Sequence, residues 1–249
     1  MPVLTRVADR IGEIILDHPP VNALDSAGWN AVPDIVTAMG RDPEIRCVLI
    51  RGEGRGFCGG VDIKEMQAHP ERIVQLNRGN YRTFQAVRAC EVPVVSAVHG
   101  FIIGSGIGIC GASDVVIAAE DAFFSLPEVD RGAMGGASHL MRMFPLQKVR
   151  AAFFTGGRID AAEAYRLGAV EKVVPREALV EEARAFCAVI ASKSRKALVT
   201  AKEALNGIEP RDVDHGYRFE QGFTLEMYLH EDSQRARDAF VQTGKTADY

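Results

Sequence analysis

The chain has 249 residues, 47% of them hydrophobic and 25% charged, enough to bury a sizeable core in one large domain. Its formal net charge is −4 at pH 7, so no global basic field exists to hold nucleic acid or an anionic membrane, and any anionic ligand must be met by local charge. Cys47, Cys58, Cys90, Cys110 and Cys187 lie far apart with no C-x-x-C pair and no histidine cluster, which points to reduced thiols rather than a disulfide framework or a metal site.

The first ten residues lack a basic stretch followed by an apolar segment, and no apolar run approaches the roughly 20 residues that span a bilayer, so a cytoplasmic location without membrane attachment is expected. Val3 to Val7 and Ile11 to Leu16 read as two strands, a plausible hairpin, ending at the Pro19-Pro20 breaker. Asp25 or Ser26 then caps a helix whose apolar positions Trp29, Val32, Ile35, Val36 and Met39 fall at helical spacing. The short apolar run Cys47 to Ile50 predicts a buried strand, residues 71–89 a helix, and Val92 to Val98 and Val115 to Ala118 two more buried strands. Strand, helix and strand recurring in this way predict an α/β class with parallel pairing. From about Ala161 the composition turns helix-forming, and no low-complexity linker separates an independent domain.

Two segments share a design of apolar strand, glycine-rich turn and helix-compatible sequence: Arg51 to Glu65 and His99 to Gly108. Glycine removes the side chain that would hold a ligand away from the backbone, and a helix start behind the turn adds unpaired N–H donors. Two such donors converging on one oxygen make an oxyanion hole, contributing about 3 kcal/mol or more to a transition state that develops negative charge. The alternative is that the glycines serve tight turns and close packing. Neither segment has the spacing of a phosphate-binding loop.

Taken in order, Pro20 to Leu24, Gly56 to Glu65, Pro93 to Gly100, Gly104-Ser105-Gly106, Phe124 to Glu128, Thr155-Gly156 and Gly168-Ala169-Val170 resemble the crotonase, or enoyl-CoA hydratase/isomerase, family. The resemblance covers nearly the whole chain. It implies an α/β spiral of ββα repeats over residues 1–190, a C-terminal helical region over 191–249 that packs against other subunits, and assembly as a homotrimer or hexamer. It implies an acyl-CoA substrate, with coenzyme A belonging to the substrate rather than acting as a separate cofactor, and no metal. Its thioester carbonyl would sit between the backbone N–H groups of Val61 and Ser105, the latter standing where the family usually has glycine. Val21, Cys58, Gly60 and Ile63 fall where the family holds pantetheine and adenine, and Lys64 and Lys245 are candidate phosphate partners or, equally, solvated surface charges.

Hydratases of this family use two glutamates to hold a water and move a proton. Glu128 matches the second, but the position of the first is Gly108. Glycine cannot position water or exchange a proton, which puts two-carboxylate hydration of a simple enoyl-CoA in doubt. Glu128 is assigned as general base and acid, with the Gly136 N–H at a family position that helps hold the water. Asp130, Arg131 and His139 are accessory candidates, His139 because its ordinary pKa lies near working pH, although a lone histidine among small residues is more often a packing residue. Asp62 and Glu65 are expected to cap or form salt bridges. Gly60 to Gln67, Asn77 to Gly79, Leu126 to Ala133, Ala201 to Asn206 and Tyr217 to Thr224 are similar to the ring-opening CoA hydrolases of steroid degradation. That similarity implies hydrolytic C–C cleavage of a bicyclic β-diketone CoA ester. Hydration or double-bond isomerisation in fatty-acid oxidation is the alternative within the class; a non-catalytic or RNA-binding protein on the same fold is the alternative outside it, against which the acidic balance argues.

Overall fold

The computed structural model describes residues 3–210 and 212–244. Strands β1 (Val3–Ala8) and β2 (Ile11–Leu16) form the expected hairpin, paired from Val3↔Leu16 to Ala8↔Ile11. Asp9 and Arg10 close it with φ of 52° and 65°, the two left-handed residues that a tight right-twisted hairpin requires. A short strand β3 (Ala23–Leu24) leads into α1 (Ser26–Arg41), whose N-cap Asp25 accepts from Gly28 N–H.

The same unit of core strand, short strand and helix then repeats. It gives β4 (Cys47–Gly52), β5 (Gly60–Val61), α2 (Ile63–Ala68) and α3 (Ile73–Arg88), then β6 (Val94–Val98), β7 (Phe101–Ile103) and α4 (Ser105–Ala112). Next come β8 (Val115–Ala119), β9 (Phe123–Ser125), α5 (Ala137–Met143) and α6 (Leu146–Thr155), followed by β10 (Arg158–Asp160), α7 (Ala161–Arg166), β11 (Lys172–Val174) and α8 (Leu179–Ala191). Helices α9 (Arg195–Ile208), α10 (Val213–Tyr228) and α11 (Glu231–Thr243) complete the described chain.

The longer strands make a six-stranded sheet in the order β1-β2-β4-β6-β8-β11, parallel except for the hairpin. Short strands form a second layer, β10-β9-β7 and β3-β5. Successive turns of the chain thus stack β2, β4, β6 and β8 edge to edge, and the glycine-rich strand ends lie next to one another because their strands do. All of β2, β4 and β6 is buried, as parallel strands covered on both faces must be. One face packs on α1 and α3 through Trp29, Val36, Ile50 and Phe84, the other on α8 through Leu49, Val95, Ala183 and Cys187. No helix of the described residues is long and apolar enough to cross a membrane.

Partly buried ion pairs tie the C-terminal helices to the rest of the domain. Lys202 on α9 donates to Asp114 at 2.7 Å and to the carbonyls of Val87 and Val92. Glu209 bridges Arg88 of α3 and Arg142 of α5. On the hairpin side Glu13 binds Arg51 and Arg184, whose hydrogen bonds outweigh the raising effect of burial and leave its carboxyl below the usual range.

Candidate active site

The first glycine-rich turn is held from below by one side chain. Asn22, buried and itself in the left-handed region at φ 52°, donates through Nδ2 to the carbonyls of Glu53 and Gly56, each at 2.9 Å, and of Phe57 at 3.3 Å. Its Oδ1 accepts from His18 N–H. This explains an asparagine in Pro20 to Leu24: its short amide tolerates the left-handed conformation and has donors enough to close the loop.

Past the loop, Gly59 N–H bonds Val21 O and Asp62 N–H bonds Leu24 O. From Asp62, paired to β3 within the Leu24↔Val61 register, amides alternate along the extended strand, so the N–H of Val61 points away from β3, and Val61 lines the cavity. Asp62 and Glu65 have the expected structural roles. Asp62 caps α2 through Lys64 N–H, and Glu65 accepts from Ser26 N–H at 2.7 Å, Ser26 Oγ and Arg72. The second turn ends in Gly104 at φ 55°, and Ser105 opens α4. Its N–H is among the first four of the helix, which have no helical acceptor.

The two turns meet because two glycines permit it. A Cβ on Gly60, whose φ is 90°, would lie 3.1 Å from Ile103 O and 3.5 Å from Ser105 N; one on Gly104 would lie 3.2 Å from Oε1 of Glu128. Val61, Ser105 and Glu128 therefore border one cavity of about 190 Å³ together with Gly60, Ile63 and Gly136.

Glu128 follows Pro127 at the end of the β9 segment and is fixed by the turn behind it, its carbonyl accepting from Arg131 N–H and Ala133 N–H, both at 2.9 Å. Its Oε2 has no hydrogen-bond partner. Burial pushes its carboxyl up to about 8, the Glu220 carboxylate adds to the rise and Arg131 opposes it. Such a group is a stronger base when ionised and a ready acid at neutral pH.

Glu220, on α10, had no role in the sequence reading. It accepts from Ala137 N–H at 3.1 Å and Ser138 N–H at 3.2 Å at the start of α5. Burial raises it to about 7 against the lowering by the amides of Ser138, Ala137 and Gly136. The Gly136 N–H thus faces a carboxylate of the chain itself. Glu220 holds the start of α5, and its charge adds to the rise of the Glu128 pKa.

The vacant first-glutamate position is filled by an aromatic ring. A Cβ on Gly108 would lie 2.5 Å from Cε2 of Phe84 and closer still to Cζ and Cε1. Phe84 is packed edge-on by Trp29 and His139 and at a tilt by Tyr217. His139 belongs to that cluster and not to the cavity wall: it is fully buried, and burial together with Arg142 and Arg88 lowers it to about 3, so it stays neutral. Asp130 is turned away against Gly156, whereas Arg131 reaches the cavity.

The expected CoA contacts divide. Gly60 and Ile63 line the cavity, Val21 packs on Gly59 beside it, and Lys64 is exposed on the first turn of α2. Cys58 departs from expectation, since its side chain is fully buried and its N–H and carbonyl are engaged by Phe101 O and Ile103 N–H in the bridge that joins the turns. Lys245 lies outside the described residues.

The remaining wall comes from the end of the chain. Tyr217, Thr224 and Tyr228 of α10 and Arg237 and Phe240 of α11 line the cavity, so the region expected to serve subunit packing also closes the site. Helix α11 is docked by Ser233, whose hydroxyl donates to Gly132 O just past Glu128, and by Asp238, which accepts from Gln67 of α2.

With this geometry in place, the chain can be compared with known proteins. The pattern of the family described as Enoyl-CoA hydratase/isomerase matches residues 6–247. Over 243 residues the chain is 48% identical to the (7aS)-7a-methyl-1,5-dioxo-2,3,5,6,7,7a-hexahydro-1H-indene-carboxyl-CoA hydrolase of Rhodococcus jostii (strain RHA1), covering 97% of this chain and 94% of that one. The hydrolase of the same name from Mycobacterium tuberculosis is 46% identical over 245 residues, covering 97% and 99%. Among solved structures, an enoyl-CoA hydratase from Mycobacterium avium subsp. paratuberculosis K-10 superposes with a TM-score of 0.88 at 26% identity, over 100% of this chain and 98% of that one.

Proposed function

The chain belongs to the enoyl-CoA hydratase/isomerase family and is an enzyme of CoA thioesters, and from that premise we propose that it opens a carbon ring by hydrolysis of a bicyclic dione CoA ester. The reading is carried by one observation: among the described residues a single buried carboxyl, Glu128, borders the cavity shared by the two amide turns, while a phenylalanine ring occupies the place of a second glutamate. Hydration by two carboxylates has no room here. Hydrolysis by one does.

The chemistry follows from the name shared by the two hydrolases. That ring system keeps one double bond, between carbons 3a and 4, and its ketone at carbon 1 adjoins the quaternary carbon 7a. Ionised Glu128 takes a proton from water as the hydroxide adds to carbon 1. The bond from carbon 1 to carbon 7a then breaks, giving a carboxylic acid. Its electron pair passes through the double bond to the other ketone and, in an ester that carries the thioester on carbon 4, also to the thioester oxygen between the N–H groups of Val61 and Ser105. Glu128, now protonated, returns the proton to carbon. One water is consumed and no oxidant is needed, so coenzyme A enters only as part of the substrate.

Each amide aimed at the developing charge contributes about 3 kcal/mol, and Glu128 typically 10²- to 10⁴-fold in rate. In the free enzyme kcat/KM should rise with pH as Glu128 ionises, levelling off near its value of about 8. Assembly as a trimer or a pair of trimers in the cytoplasm is part of the same reading, supported by the exposed aromatic pair Phe219 and Phe223 on α10.

The test is turnover of the bicyclic dione CoA ester, followed by mass spectrometry as the gain of one water, beside crotonyl-CoA hydration. Glu128→Gln should lose about 10²- to 10⁴-fold in kcat while binding acyl-CoA as before. Rapid hydration of crotonyl-CoA by a protein inert toward the dione would overturn the proposal.

A further inference from the structure

Among the described residues, two arginines that line the cavity form no salt bridge with a carboxylate. Arg237 is 1% exposed, its Nε is buried and unpartnered, and its other nitrogens bond only the neutral acceptors Ser233 Oγ and Gln234 Oε1. Its guanidinium stacks on Tyr228, 4.5 Å from the ring centre. Arg131, three residues past Glu128, lies 3.9 Å over the Phe240 ring, and its Nη1 is likewise buried and unpartnered. Of the nearby carboxylates, Asp238 is held by Gln67 and Gln234, Asp130 is turned to Gly156, and Glu128, which interacts with Arg131 through charge, has no hydrogen-bond partner for its Oε2. Among the described residues neither guanidinium forms an ion pair, and burial lowers the pKa of both.

Uncompensated charge is costly to bury. A wall meant for a plain acyl chain would be apolar, as the neighbouring Phe240, Tyr228 and Ile73 are. The guanidinium fork matches a carboxylate.

We propose that Arg131 and Arg237 form an anion receptor for the acyl group, so that the enzyme's ligands carry or generate a carboxylate at a point apart from the thioester. The assignment rests on the proposed ring opening for its chemical meaning. The receptor would hold the oxyanion formed as hydroxide adds to the ring ketone, and then the carboxylate that C–C cleavage leaves. The amide turns serve the thioester enolate; the arginines serve the other half of the broken bond.

The experiment is calorimetric binding of adipoyl-CoA, hexanoyl-CoA and free CoA to the full chain. Adipoyl-CoA and hexanoyl-CoA have the same length and differ by the terminal carboxylate. Wild type should prefer adipoyl-CoA on the order of 10- to 100-fold. Arg237→Met and Arg131→Met should each erase most of that preference while leaving hexanoyl-CoA and free CoA unchanged, and Arg→Lys at either position should restore part of it. Equal wild-type affinity for the two esters overturns the receptor without any variant having to fold. Equal weakening of free CoA in the variants also overturns it, since the arginines would then bind CoA phosphates. A dione ester that turns over without any adipoyl preference removes only this inference. A preserved preference with an inert dione ester keeps the receptor and removes only the ring-opening reading.

Discussion

Replacing Gly108 with alanine tests the packing that separates this site from a two-glutamate one. The added Cβ would lie 2.5 Å from Cε2 of Phe84 and nearer to two other ring atoms, where carbon atoms settle at about 3.5–4.0 Å. The ring is 2% exposed and flanked by Trp29, His139 and Tyr217 at centroid distances of 6.2, 4.8 and 5.2 Å, so it can yield only by disturbing that packing or by intruding on the cavity it lines. Overpacking of this kind costs about 1–3 kcal/mol. For a domain of this size each kcal/mol lowers Tm by roughly 2–4 °C, so scanning calorimetry should show a fall of about 2–12 °C. Phe84→Leu makes room, and the double variant should therefore lose less than the sum of the two singles. Gly108→Glu should destabilise further without gaining hydratase activity. A Gly108→Ala protein that melts with the wild type, additivity in the double variant, or fast crotonyl-CoA hydration by Gly108→Glu would refute the reasoning.

Three other perturbations probe the scaffold. The folded pKa of Glu128, about 8, lies above the ordinary value of 4.5, so the folded state binds more protons between those values and loses stability as pH rises through them. Glu128→Gln removes that loss, and its Tm advantage over wild type should widen from about pH 5 to about pH 8; parallel curves would contradict the assignment. Lys202→Met removes a buried donor from Asp114 and from two carbonyls and should cost about 1–3 kcal/mol in urea unfolding, as losing hydrogen bonds to a charged group does; a loss within experimental error would count against a stabilising role for these bonds. Asn22→Ala unties the loop of the first amide turn from three carbonyls, each bond contributing about 1 kcal/mol. Both midpoint and kcat should fall, and a stable variant with full turnover would show that the loop needs no brace.

Much of the fold was legible because its signals are local. The buried strands are short apolar runs bounded by breakers, and Asp25 and Asp62 announce helix starts by capping chemistry. The hairpin was readable from alternation, although its Asp9-Arg10 closure lacks the usual glycine. The amide turns were readable too, since glycine at Gly60 and Gly104 is a covalent fact with a conformational consequence. Cys58 lies beside the turn and not on the cavity, because the bridge to Ile102 uses its backbone, a pairing with a distant segment that local sequence does not announce.

The residues that went unread are those whose meaning lies in partners far along the chain. Glu220 looks like any charge on a helix until α10 brings it to the amides of Ala137 and Ser138. Arg237 sits in a polar stretch that reads as a solvent face, yet it is buried because α11 folds back over the Glu128 loop. The amino-acid sequence by itself determined the repeating strand-turn-helix unit and the two glycine-rich turns, since each rests on neighbours a few residues apart. Only the tertiary structure decided that Phe84 fills the second carboxyl's place, that Glu128 holds its proton to about pH 8 and that two arginines close the cavity, because burial and close approach arise between distant segments.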